Sequence, residues 1–421
     1  RSEDGGKNWQ VIAPYNYIHP DHHAFFVHPE NPSYIINGND GGLNISRDRG
    51  ESWRFVNNLP LAQFYHISYD METPYNVYGG MQDNGSWKGP AYVFKADGIR
   101  NDYWEELFFG DGFDVSVDPS NSRYVYAMSQ EGYLGRVDTK TGYTTMIRPV
   151  HPENKELRFN WNAPIAQDPF EDGTIYFGAQ YVFKSKDRGA NWEVISPDLT
   201  TNDSTKQNYG ESGGLTYDVT GAENYTTLLC IEPSDKQGEL WVSSDDGRLH
   251  LTKDGGGNWT ELSANLQGMP AGAWIPQIVH SKHKEGAAFV VANDYRRGDE
   301  RPMLFYTENY GKSFKNIGAS LPAYVISVVQ DIENPNLIFA GTQRGLFFSW
   351  DMGAHWQKWS KDFPTVLVSD LKIHPREHDL IVGTFGRAAY ILDNLEDLRA
   401  SINLAQSSSA QKLILYPPSP A

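Results

Sequence analysis

Apolar residues in this chain fall into short runs of four to six, separated by turn residues, with almost no stripes at helical spacing. His28-Pro29-Glu30-Asn31-Pro32 leads into Tyr34-Ile35-Ile36-Asn37-Gly38, and Gly42-Leu43-Asn44-Ile45 follows. The same order of Pro-containing turn, apolar run, Gly-rich turn and second run recurs. Its later copies centre on Val77-Tyr78-Gly79-Gly80, Val125-Tyr126-Ala127-Met128, Ile175-Tyr176-Phe177-Gly178 and Leu240-Trp241-Val242-Ser243. Ala288-Phe289-Val290-Val291, Ile338-Phe339-Ala340-Gly341 and Leu380-Ile381-Val382-Gly383 complete eight copies. They lie roughly 40 to 65 residues apart, room for about four short strands each. A 3.6-residue period is suggested only around Leu395 to Ala405 and Leu199 to Thr205.

A second pattern punctuates the first. Ser46-Arg47-Asp48-Arg49-Gly50-Glu51-Ser52-Trp53 has the form Ser-x-Asp-x-Gly-x-x-Trp, and Ser2 to Trp9, Ser185 to Trp192 and Ser349 to Trp356 repeat it. Thr252 to Trp259 has Thr for Ser, and Thr307 to Phe314 has Asn309 for Asp and Phe314 for Trp. The carboxylate can accept turn N–H groups, and the Gly takes a positive φ. The Trp opens the next strand and can seal the space between sheets. A catalytic site is built once, whereas a turn is built in every repeat, so these aspartates read as scaffold. Asp48, Asp187, Asp254 and Asp351 are expected in hairpin turns away from any ligand, with the Trp residues largely buried.

Four-stranded units at this period predict an all-β fold, a β-propeller whose radial closure hides sheet edges. Seven complete units run from about His22 to Ser360, and an eighth supplies inner strands from Val366 to Asp393. The opening 1–13 is an outer-strand piece, so pairing Trp9–Ala13 with Ala389–Asp393 predicts one eight-bladed propeller over 1–398. The alternative is seven blades with the ends belonging to a preceding propeller. Residues 399–421, containing Ser407-Ser408-Ser409 and Pro417-Pro418-Ser419-Pro420, read as a linker or tail towards an absent module. Asp198 to Glu223 and Tyr295 to Pro302 are expected as long loops over one face.

Net charge is −17 across 421 residues, which argues against nucleic acid and anionic membranes as partners. One cysteine, Cys230, excludes an internal disulfide and a Cys-based metal site. No run approaches the ~18 apolar residues of a membrane span. The chain opens without Met inside a repeat, as expected of a piece of a longer protein with further domains.

The repeated turn resembles the Asp-box, or bacterial neuraminidase repeat, of sialidases, sortilin-type receptors and double-propeller xyloglucan-degrading endoglucanases. Other strings resemble large bacterial proteins described as sortilin-like or glycosyl hydrolase. They are His19-Pro20-Asp21-His22-His23-Ala24, Gly38-Asn39-Asp40-Gly41-Gly42, Gly80-Met81-Gln82-Asp83-Asn84-Gly85-Ser86-Trp87 and Gly110-Asp111-Gly112-Phe113. Arg158-Phe159-Asn160-Trp161-Asn162, Ile195 to Thr200 and Gly383-Thr384-Phe385-Gly386-Arg387 belong to the same set. The resemblance implies a propeller over nearly the whole chain, and an extracytoplasmic bacterial protein (periplasmic, cell-surface or secreted). No Arg-Ile-Pro motif lies near the start, so the sialidase arginine triad does not transfer.

In a propeller, inner-strand starts and the turns between second and third strands converge around the axis, where ligands bind. That set here is polar and aromatic. Asp40, Asp83 and Asp111 are the candidate catalytic carboxylates if the protein is a glycoside hydrolase, one acting as acid and one as base or nucleophile. Candidate ligand contacts are His22, His23, Tyr65, Gln82, Asn84, Trp161, Asn162, Trp274, Gln343 and Arg387. Amides, carboxylates and indoles on one rim suit sugars, giving directional hydrogen bonds to hydroxyls and flat faces for C–H surfaces. The Gly-Asn-Asp-Gly-Gly and Gln-Asp-Asn-Gly turns can equally need only a positive φ, and Trp161 and Trp274 can equally be core. His22 and His23 point to opposite faces of a strand, which predicts one of them packed and no metal pair. No metal and no cofactor are expected. The function expected is binding, and conceivable hydrolysis, of a polysaccharide or glycan at the axial face. The alternative is a non-catalytic, sortilin-like scaffold for an extended peptide or protein.

Overall fold

The computed structural model describes residues 1–207 and 224–406. Eight antiparallel sheets are present, matching the number of repeat units, and the chain divides into two compact units.

The first unit comprises Arg1–Leu61 with Val93–Trp104. Its one sheet orders the strands His22–Val27, Ile35–Asn39, Gly42–Ser46 and Arg54–Phe55. Every residue of His22–Val27 is exposed, so neither His22 nor His23 is packed, contrary to the alternation argument.

The second unit comprises Ala62–Tyr92 and the chain from Glu105 onward, and holds seven sheets. Blade 1 is Phe64–Tyr69, Asn76–Met81, Gly85–Pro90 and Glu105–Phe108. The innermost strands of the next six blades are Val115–Val117, Ile165–Gln167, Leu228–Pro233, Trp274–His280, Val325–Gln330 and Val368–Ile373. Blades 2 to 6 are four-stranded and blade 7 has three strands. The second strands, such as Leu240–Ser244, Ile338–Thr342 and Leu380–Thr384, are buried along their whole length. A strand covered on both faces needs a continuous apolar run, which is why the sequence shows runs here. Cores form between blades: Trp241 and Leu251 pack with Ile278, Val290 and Phe305, and Phe289 and Leu304 pack with Val328, Ile338 and Phe347. Each such side chain contributes about 1.5–3 kcal/mol on burial.

The ring closes between blades 7 and 1. Val368–Ile373 lies against Phe64–Tyr69, and Gln63 bridges to Phe385. Tyr75 donates its hydroxyl to Asp379 at 2.9 Å, and Arg376 donates to the carbonyls of Met71 (2.8 Å) and Glu72 (2.6 Å). Trp9–Ala13, expected as a strand of the closing blade, is not a strand. Residues 1–13 contain no strand, and Ala389–Leu392 pairs only with Leu380–Thr384 among the described residues. The outer side of blade 7 carries the helix Glu396–Gln406 instead, with Leu395 and Ile402 buried against Phe339 and Leu380. The linker expected from 399 therefore begins as a packed helix, and residues 407–421 lie outside the described residues. The loop expected over Tyr295 to Pro302 is a 3-10 turn, Tyr295–Arg297, running into the strand Asp299–Thr307. Around Leu199 to Thr205 only a 3-10 turn forms, Ser204–Lys206, and the later part of the Asp198 to Glu223 loop lies outside the described residues.

From Ser46 onward the repeated Ser/Thr-x-Asp/Asn turns are hairpins linking third and fourth strands, and they fasten neighbouring strands together, whereas the copy at Ser2 to Trp9 joins no strands. In the first unit, Asp48 Oδ1 accepts from the Ser46 hydroxyl and the Ser52 N–H, both at 2.9 Å, while Gly50 N–H donates to Ser46 Oγ. The Ser52 hydroxyl and N–H, with Ser46, hold the Asp48 carboxyl down at about 2. In the second unit, Trp192 Nε1 donates to the Ile147 carbonyl, Trp259 Nε1 to Ile195 and Trp356 Nε1 to Ile317. Each acceptor lies just after the outer strand of the preceding blade, and the turn glycine packs over it. The indoles are half-buried, less than expected, and Trp9 is exposed. Gly256 has φ +100 and no room for a Cβ against the Ile195 carbonyl. Gly256→Ala should therefore destabilise by about 1–3 kcal/mol in a denaturant titration; an unchanged midpoint would show that the blade contact tolerates a side chain.

Candidate functional site

A cavity of about 580 Å³ opens at the centre of the second unit, lined by residues from all seven blades. Blade 1 contributes Tyr65, His66 and Gln82, and Phe113 precedes the inner strand of blade 2. Asn160, Trp161 and Asn162 enter blade 3, while Trp274, Gln277, Asn293, Tyr295 and Arg296 come from blade 5. A deeper chamber of about 250 Å³ shares His66, Asn162, Leu229, Pro276 and Gln277 with it, so the two form one axial channel.

Three blades fix the Asn160-Trp161-Asn162 turn. Asn160 Nδ2 donates to Thr227 Oγ1 at 2.9 Å and Asp245 Oδ2 at 3.2 Å. Trp161 Nε1 donates to Asp111 Oδ2 at 3.1 Å, and Asn162 Nδ2 meets His66 Nε2 at 2.7 Å. Burial and the adjacent Asp246 push the Asp245 carboxyl up to about 8, against the hydrogen bonds from Thr227 and Asn160. Tyr65 donates its hydroxyl to Gln82 Oε1 at 2.6 Å, and its ring lies tilted against Phe113 and edge-on to Phe385. The mouth is thus a set of amides and aromatic faces held in place by second-layer partners.

Below it lies a cluster of charges. Asp370, 1% exposed, accepts from the N–H of Ile67 (3.1 Å) and of Leu371 (2.8 Å), and pairs with Lys372 Nζ at 3.3 Å and His66 Nδ1 at 3.4 Å. Burial pushes its carboxyl up, but Lys372, His66 and the Ile67 N–H outweigh that and hold it at about 2. Burial depresses His66, and Asp370 more than compensates, so its imidazole titrates above the usual range. Burial raises Asp114 despite the opposing charges of His66 and Lys372.

Of the predicted ligand contacts, the structure brings together Tyr65, Gln82, Trp161, Asn162 and Trp274. Asn84 turns back to the Gln82 carbonyl, Gln343 buries an unpaired Oε1 outside the cavity lining, and Arg387 is exposed on the turn after Thr384. His22, His23 and Asp40 belong to the first unit, where His23 Nε2 pairs with Asp40 Oδ1 at 2.6 Å. Asp111 and Asp83 do meet, but through the Asp83 N–H donating to Asp111 Oδ1 at 2.9 Å. Both Asp111 oxygens are thereby engaged, and Asp111 positions Trp161 instead of facing the cavity. No Asp or Glu is among the residues lining the larger cavity. Among the described residues no three His, Cys, Asp or Glu side chains are grouped to hold a metal ion. Sequence reasoning missed Asp370 and Lys372; the signal was two opposite charges at i and i+2 inside the apolar strand Val368-Ser369-Asp370-Leu371-Lys372-Ile373.

The fold and axial channel define a β-propeller. No known family matches the sequence, and no curated protein matches it. Among solved structures, the chain is similar to the GH74 xyloglucanase of Xanthomonas campestris, with TM-score 0.59 and 16% identity over 82% of this chain and 54% of that one. It is also similar to the GH74 enzyme of Niastella koreensis (TM-score 0.55, 15% identity, 80% of this chain and 53% of that one). A third similar structure is the extracellular domain of a putative hybrid two-component system from B. thetaiotaomicron (TM-score 0.53, 11% identity, 80% of this chain and 39% of that one). The chain spans about half the length of the two GH74 enzymes. At these identities the likeness is one of fold.

Proposed function

We propose that the axial cavity of the second unit binds a glycan and holds it without hydrolysing it. The observation carrying this reading is the lining: the partly exposed aromatic side chains Tyr65, Trp161 and Trp274 beside the partly exposed amides of Gln82 and Asn162, with no carboxylate lining the cavity. Two-carboxylate hydrolysis needs a pair of acids flanking the scissile bond; Asp111 has both oxygens engaged by the Asp83 N–H and the Trp161 indole, and neither Asp83 nor Asp111 lines the cavity. The xyloglucanase among the similar structures lends carbohydrate support, and the extracellular domain of the two-component system supports an extracytoplasmic location for a bacterial protein with further domains. The repeated turns are read as Asp-boxes serving this scaffold.

Calorimetry against a panel of oligosaccharides tests the proposal. Trp161→Ala should weaken binding about tenfold or more, since stacking and burial of one indole contribute about 1.5–3 kcal/mol. Release of reducing ends by the wild type, abolished by Asp111→Asn, would overturn the non-hydrolytic reading. An extended peptide, the competing occupant of a sortilin-like scaffold, is screened on a peptide array alongside.

A further inference from the structure

One wall of the cavity carries a charge without a counter-charge. Arg296 lies flat over Trp274, its guanidinium carbon 3.4 Å from the ring centroid, and 4.6 Å from the Tyr295 ring, which itself stacks on Tyr324. Among the described residues no carboxylate or carbonyl pairs with this guanidinium. The nearest acid in sequence, Asp294, is taken by Arg297, whose Nε donates to Asp294 Oδ1 at 2.7 Å and whose Nη2 donates to the Ala271 carbonyl at 2.8 Å. Beside Arg296, Asn293 is 3% exposed and its Oδ1 has no hydrogen-bond partner among the described residues. Asn293 faces Trp274 across the strand pair, and both residues line the cavity with Arg296. A recess of about 60 Å³ leads off the cavity behind the same three side chains.

A buried amide oxygen left unpaired is unfavourable, while the partly exposed Arg296 guanidinium meets water in place of a counter-charge, and one ligand engages both. The indole orients the guanidinium so that its N–H edge is presented as a fork, the geometry that matches a carboxylate. We infer that Arg296, Asn293 and Trp274 form a subsite for the carboxylate of a uronic acid residue in an acidic glycan; the inference rests on the glycan reading above. Arg296 takes the carboxylate through two parallel N–H bonds, and an adjacent ring hydroxyl donates to Asn293 Oδ1. A single charge fits better than a phosphate dianion, because the other cations of the recess are occupied: Arg297 by Asp294, and Lys206 by Asp203 at 3.7 Å and by the Tyr225 ring. The chain's net charge of −17 does not oppose this, since at physiological salt distant charges are screened beyond about 8 Å.

The test is calorimetry on the whole chain with trisaccharides of galacturonate, glucuronate and mannuronate, their methyl esters, and a tetrapeptide with a free or amidated C-terminus. At least one uronate should bind about tenfold or more tighter than its ester. Arg296→Gln should remove that preference, weakening the acid far more than its ester, and Arg296→Lys should restore only part of it, because a lysine lacks the fork. Thermal midpoints of both variants should match the wild type, separating lost recognition from lost fold. Equal binding of every acid and its ester, or an Arg296→Gln variant indistinguishable from the wild type, would overturn the inference. The glycan reading survives that result provided Trp161→Ala weakens the esters. If no saccharide binds and the free-acid peptide binds in an Arg296-dependent manner, both readings fail and the site belongs to peptides.

Discussion

Asp370→Asn is expected to cost about 1–3 kcal/mol of stability, because it removes the buried carboxylate shared by the partly exposed Lys372 ammonium and His66 imidazole, whose own charges solvent screens in part. Urea titration measures it directly. Asp370→Asn combined with Lys372→Met should recover most of the loss, since removing both charges is far cheaper than removing one. The carboxyl also sets a pH signature. Held at about 2 in the fold, against its ordinary value of 3.8, Asp370 contributes stability that is complete above about pH 4 and fades as pH falls towards 2. His66, raised by the same pair, contributes stability below its ordinary 6.5 that is lost as pH rises through its folded value. The Asp370→Asn variant should lose the acid-side dependence. A variant as stable as the wild type at neutral pH would mean that water reaches the cluster freely through the channel.

Arg399→Ala should be more damaging, about 3–5 kcal/mol, although it lies on the terminal helix and far from any ligand. Its Nε donates to both Asp331 oxygens at 3.0 and 3.1 Å and its Nη2 to Oδ2 at 2.7 Å; Asp331 is 1% exposed and Arg399 7%. Truncation strands the Asp331 carboxylate and frees the helix Glu396–Gln406 from the three-stranded blade it covers. Hydrogen exchange should then accelerate across Glu396–Gln406 and Ala389–Leu392 before the rest of the ring. Unchanged protection there would show that Leu395 and Ile402 anchor the helix on their own.

The blades were legible because each second strand must be apolar on both faces, so Val125 to Met128 or Ile338 to Gly341 stand out unaided. The turns were legible because Ser46, Asp48 and Gly50 repeat with fixed spacing. The seam was not: whether Trp9–Ala13 or Phe64–Tyr69 lies beside the last blade depends on contacts between segments some three hundred positions apart, which no local pattern encodes. Site residues divide the same way. Trp161, Trp274 and Gln82 follow from strand and turn order alone. The role of Asp111 does not, because a carboxylate between two glycines looks the same whether it faces a cavity or accepts from the Trp161 indole. Arg296 was hidden because Tyr295 to Pro302 reads as a loop, while the 3-10 turn Tyr295–Arg297, at the end of the strand Ala288–Asp294, sets it over Trp274 at the cavity wall.

The closing seam also determines how the ring must assemble. Neighbouring blades elsewhere are joined across about fifty residues, whereas Ile67 to Asp370 and Tyr75 to Asp379 span 303 and 304. Joining the ends of a flexible chain that long costs on the order of 5 kcal/mol in loop entropy beyond a constant. The bonds from Arg376, Tyr75 and Asp370 across the seam, with that of His374 Nε2 to the Asp70 carbonyl at 3.0 Å, oppose that cost together, and none of them forms until the last blade has been made. A nascent chain therefore carries its early blades as an open arc, with the first inner strand uncovered. The edge that waits for Val368–Ile373 is the stretch on which premature association with other chains would begin.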